Sequence, residues 1–68
     1  MQNRLKPLME SRGISVRKLA LDAGVSPEKV TWARMGGRLS QPVASRLAAA
    51  LGIEAAKLFP DFSKWRAW

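Results

Sequence analysis

Glycine recurs at Gly13, Gly24, the pair Gly36-Gly37 and Gly52. These positions limit any helix between them to about three or four turns. Each follows a helix-compatible stretch, where a left-handed C-terminal cap belongs. Ser15, Ser26 and Ser40 stand at the starts of the next stretches, and a serine hydroxyl can accept a free backbone N–H of a first turn. Pro27 and Pro42 fall inside first turns, where a missing N–H costs nothing. Between these marks the apolar residues keep helical spacing: Leu5 and Leu8; Val16, Leu19, Ala20 and Ala23; Val30 and Ala33; Ala44, Leu47, Ala48 and Leu51. No segment alternates as a half-buried strand does. The pattern predicts an all-α chain with helices over about 2–12, 16–23, 27–35, 41–51 and 54–59. Pro7 either belongs to a first turn that starts later, near Arg4, or bends the first helix. Leu5, Leu8, Leu19, Val30, Leu47, Leu51, Ile53 and Leu58 are the expected core.

Composition narrows the function. The 68 residues hold 12 Lys plus Arg against 5 Asp plus Glu, a net charge of +7. Such an excess points to a polyanionic partner, nucleic acid before an anionic membrane. Eight of the twelve cations (Arg4, Lys6, Arg12, Arg17, Lys18, Lys29, Arg34 and Arg38) precede Ser40. There is no Cys, His or Tyr, which removes the usual general base, nucleophile and soft metal ligands. Catalysis, metal sites and disulfides are therefore not expected. No apolar run approaches the ~18 residues of a membrane span, and nothing resembles a secretory leader. The expectation is a soluble cytoplasmic protein, associated with the nucleoid through DNA. So short a chain also argues against a separate effector-sensing domain.

The second and third stretches carry the most information. Ser15-Val16-Arg17-Lys18-Leu19-Ala20-Leu21-Asp22-Ala23 is followed by Gly24-Val25-Ser26, and then by Pro27-Glu28-Lys29-Val30-Thr31-Trp32-Ala33. Two short helices joined by a glycine turn, with small Ala20 allowing close approach, make a helix-turn-helix, whose second helix can enter a major groove. Here the chain resembles the lambda-repressor-like (Cro/CI-type) helix-turn-helix proteins. The resemblance rests on Gly13-Ile14-Ser15, Leu19-Ala20, Gly24-Val25-Ser26, Val30-Thr31, the Gly36 turn, and Ala48-Ala49-Ala50-Leu51-Gly52-Ile53 followed by Leu58-Phe59. Their ordered spacing spans Asn3 to Phe59, most of the chain.

The resemblance implies a compact five-helix DNA-binding domain over 1–59, with the helix-turn-helix at about 16–35 and a tail over 60–68. It implies binding to double-stranded DNA as a homodimer on an inverted repeat, in the role of a small transcriptional repressor or regulator, with no cofactor. By position, bases would be read by Pro27, Glu28, Lys29 and Trp32, with Thr31 nearby. Phosphates would meet Arg17, Lys18, Ser26, Arg34, Gly37 and Arg38. Three departures matter. Val16 stands where the family often has a backbone-contacting glutamine, so Arg17 or Lys18 must take that contact. Pro27 offers no side-chain hydrogen bond, which leaves Glu28 to accept from cytosine and Lys29 to donate to guanine. Met9 and Arg34 occupy positions where the family commonly pairs arginine with glutamate, which frees Arg34 for a phosphate, another chain or Glu10.

Each of these residues also has a plainer reading. Trp32 can pack without touching DNA, Glu28 can serve only the helix dipole, and Gly36-Gly37 can be a simple cap rather than a phosphate nest. The tail is the least expected part: Phe62, Trp65 and Trp68 recur every third residue, with Lys64 and Arg66 beside them. They either fold back on the core, or form a dimer or protein-partner surface, or rest on an anionic membrane surface. A partner surface there would suit an antitoxin-like interaction module, a use to which the same fold is put.

Overall fold

The computed structural model describes residues 3–67. Its elements are α1 (Leu5–Arg12), α2 (Val16–Ala23), α3 (Pro27–Arg34), α4 (Gln41–Leu51), α5 (Ala55–Leu58) and a single 3₁₀ turn (Phe62–Lys64), with no strand among the described residues. The all-α class is as the sequence predicts, and no described helix is long and apolar enough to cross a membrane. The expected bounds shift by a few residues at the two outer helices: α1 starts at Leu5 rather than near residue 2, and α5 is a single turn.

Backbone accounting explains where α1 begins. The Asn3 side chain accepts from Leu5 N–H at 2.9 Å, and Arg4 N–H donates to the Leu58 carbonyl at 3.1 Å. Pro7 is then the third helical residue, still among the N–H groups that have no intrahelical partner. Its ring stays within the first turn and interrupts no helical bond. Asn3 also donates through Nδ2 to the Ala33 carbonyl at 2.8 Å, tying the start of α1 to the last turn of α3.

The helix ends follow local chemistry, with exceptions at two serines. Gly13, Gly24 and Gly52 all close helices in the left-handed region. Ser15 caps α2 by accepting from Lys18 N–H at 3.1 Å. Ser26 and Ser40 have the extended backbone of a cap, but their hydroxyls make no capping bond. At α3 the Ser26 carbonyl accepts the Lys29 N–H instead, at 3.1 Å. At α4 Pro42 removes one of the donors such a hydroxyl would serve.

Phe59, Leu5, Met9, Leu19, Leu47, Leu58 and Val30 are fully buried, joined by Ala20, Ala33, Leu39, Ala44, Ala48 and Leu51. Complete burial of each large side chain contributes about 1.5–3 kcal/mol. Leu8 and Ile53, expected in the core, are half-buried against its edge. The small residues Ala20, Ala33, Ala44 and Ala48 let the helices approach, and α2 packs against both α3 and α4. Arg12 reaches across to donate to the last carbonyl of α4, Leu51, at 2.7 Å. That charged donor satisfies an orphan acceptor at the negative end of the helix.

Candidate nucleic-acid interface

Helix α3 is anchored by Val30 and Ala33, both 0% exposed. Five of the other positions turn outward: Pro27, Glu28, Lys29, Thr31 and Trp32 are all exposed. The Gly24 turn sets this helix against α2, with Val25 N–H donating to the Ala20 carbonyl at 3.0 Å. Eight residues at 1.5 Å each give a rod about 12 Å long, comparable with the width of a major groove. Its outward face offers a carboxylate acceptor in Glu28, an ammonium donor in Lys29, and a hydroxyl and methyl in Thr31.

Trp32 has a second commitment. Its indole Nε1 donates to the Arg38 carbonyl at 2.8 Å, and the ring lies over Gly37, where an added Cβ would overlap it. The ring nitrogen is therefore not available to a base. The residue is still 55% exposed and can offer apolar contact. The indole acts chiefly as a brace, which holds the loop after α3 and sets where Arg38 leaves the chain.

That brace corrects the expectation for Gly37. A phosphate nest needs free N–H groups, but Gly37 N–H donates to the Trp32 carbonyl at 2.9 Å and Gly36 N–H to that of Ala33 at 3.0 Å. Gly36 takes the left-handed conformation, at φ 88°, and Gly37 does not. Gly37 is thus required for the room it leaves the indole rather than for a phosphate. The α3–α4 loop instead presents Arg38, whose side chain is exposed.

The other expected phosphate contacts divide into two groups. Arg17, Lys18 and Ser26 are exposed around the α2–α3 turn. Arg17 and Lys18 line a crevice of about 390 Å³ with Ala20, Leu21, Val25 and Pro27. Lys18 pairs with Asp22 at 3.3 Å, both side chains being largely solvated. A helical pair of this kind is worth about 0.3–0.5 kcal/mol and yields readily to a phosphate. Val16 is half-buried against the core, which leaves the start of α2 to those two cations. Arg34 is different. It is half-buried, and its Nε is enclosed with no hydrogen-bond partner. It makes no ion pair with Glu10 among the described residues.

Of the readings open for the tail, its described aromatics take the one that folds back on the core. Phe62 and Trp65 are half-buried and pack on the core, with the Trp65 ring 5.2 Å from that of Phe59 at a 48° tilt. They are not an open ridge for a partner. Trp68 lies outside the described residues.

This folding back creates a feature the sequence reading missed. A second crevice, of about 750 Å³, runs between α3, the loop after it and the tail. Its charged lining is Glu28, Lys29, Arg38, Lys64 and Arg66, and Trp32 and Trp65 form part of its walls. No local sequence pattern announces it, because it is held together at long range by Gln41. As the first residue of α4, Gln41 has both a free main-chain N–H and an amide, and both hold the tail.

Compared with known proteins, the chain matches no family model, no curated protein and no solved structure.

Proposed function

We propose that the chain is a sequence-reading DNA-binding domain of the lambda-repressor-like helix-turn-helix kind, acting as a homodimer on an inverted repeat to regulate transcription. The observation that supports this most is the outward face of α3: Glu28, Lys29, Thr31 and Trp32 stand free of the core, between crevices that carry Arg17 and Lys18 near one turn and Arg38 near the next. The +7 charge supplies the affinity common to all duplexes by displacing counterions. Lys29 and Glu28 supply discrimination, through guanine and cytosine respectively.

Selection of bound duplexes from a randomised pool at ~150 mM salt tests this reading. A palindromic motif preferred over scrambled DNA by ~10³ or more is expected, with half-site centres about 10 bp apart or a multiple of it. Enrichment of no motif would refute it. Within the selected site, Lys29→Ala should relax one base position, at a loss of about 1–3 kcal/mol. Arg38→Ala should weaken all sequences alike and lower the salt slope by about one.

A further inference from the structure

The last described residues separate two kinds of side chain. Phe62 and Trp65 are half-buried, whereas Lys64 and Arg66 are exposed. Trp65 has extended backbone, φ −88° and ψ 164°, and in extended chain the neighbours of an inward residue point outward. The aromatic members hold the segment to the core and the cationic members are exposed beside them.

The segment is also held through main-chain bonds. Gln41 donates its Nε2 to the Phe62 carbonyl at 3.1 Å and to that of Ser63 at 3.4 Å. Its main-chain N–H donates to the Arg66 carbonyl. The consequence reaches the start of α4. A helix start can bind phosphate through free N–H groups. Here the first is taken by Arg66 and the second is missing, because residue 42 is proline. The tail thus occupies the position from which backbone donors would act, and brings two cationic side chains there.

Those side chains share a crevice with α3. Among the described residues its charged lining is Lys29, Arg38, Lys64 and Arg66 with the one carboxylate Glu28. Four cations along one open groove form an electrostatic track for a polyanion rather than a closed pocket for a small molecule. We infer that segment 60–67 is a second phosphate-binding element, in which Lys64 and Arg66 join Arg38 to hold one backbone strand of duplex DNA beside the base-reading Lys29 of α3. This rests on the DNA-binding reading above and extends it to a part of the chain that reading does not use.

Salt titration of duplex binding tests the inference. The proteins are the wild type, Lys64→Ala, the double variant Lys64→Ala/Arg66→Ala, and Lys57→Ala on α5 as a cation outside the groove. Circular dichroism melts confirm that each folds. The expected slope of log K against log salt falls by about one for Lys64→Ala and about two for the double variant, and is unchanged for Lys57→Ala. Selected and scrambled duplexes should lose affinity by the same factor. A double variant with the wild-type slope overturns the inference and leaves the DNA-binding reading standing. So does a tail effect on one base position alone, whereas tighter binding to the single strand than to its duplex overturns both. A wild type that binds no duplex at any salt overturns both.

Discussion

Both turns that flank α3 hold a glycine in the left-handed conformation, Gly24 and Gly36, but the second turn holds a further glycine for a different reason. At the α2–α3 turn, Gly24 sits at φ +71° with no atom near its missing side chain. Glycine is needed there for its backbone conformation, and the turn closes through main-chain bonds from residues 24 and 25 alone. At the α3–α4 turn, Gly37 has no such backbone requirement, and glycine is needed because the Trp32 indole fills the space a side chain would take. The first turn is specified by its own few residues. The second has such local closure at Gly36, and depends in addition on a side chain one helical turn and more away, which ends on the Arg38 carbonyl. The lesson is that the angle of α3 against α2 is a local matter, while the position of Arg38 depends on Trp32.

The largest effect expected of this contrast is at Gly37. Gly37→Ala should displace the indole and destabilise by about 1–3 kcal/mol, as overpacking does. In a Trp32→Ala background the same substitution should be close to neutral, because the obstruction is gone. A denaturant double-mutant cycle reads this coupling, and additive losses would break the distinction between the turns. Next is Gly24→Ala, with an expected cost of about 1–2 kcal/mol from the left-handed backbone. That cost should be the same with or without Trp32. Smaller again is the comparison of two serines at the ends of α2 and α3. Ser15→Ala should cost about 1 kcal/mol, since its hydroxyl caps Lys18 N–H. Ser26→Ala should change the unfolding midpoint little, since its hydroxyl caps nothing. Equal losses at the two would show that solution capping differs from this geometry. The smallest effect is Asp22→Ala, at no more than a few tenths of a kcal/mol, with DNA affinity rising slightly as Lys18 is released.

What could be read from the sequence follows the same line. The bounds of α2 and α4, the first residue of α3 and the placement of its outward face come from glycine, serine and proline chemistry within a few residues of each end. The start of α1 was legible in part, since Pro7 allowed a beginning near Arg4. The brace from Trp32 was not, because a tryptophan on the outward face of a helix gives no sign in sequence that its nitrogen is used elsewhere. Nor was the failure of Ser26 and Ser40 to cap, which depends on hydroxyl geometry rather than on residue type. The groove was hidden for a different reason. Gln41 meets Phe62, Ser63 and Arg66 across more than twenty residues, and no local pattern announces such a contact. Leu39 was likewise unannounced, a buried leucine outside any helix.

The central claim is that α3 and the loop it braces meet DNA. The most direct measurement is an NMR titration with a duplex of about 20 base pairs carrying the selected site, two half-sites long, at ~150 mM salt. The account predicts the largest amide shifts at Glu28, Lys29, Thr31 and Arg38, a shift of the Trp32 indole N–H as its loop is contacted, and little change at Glu10 or Ala56. Shifts confined to α1 and α5, with α3 unmoved at saturation, would contradict it.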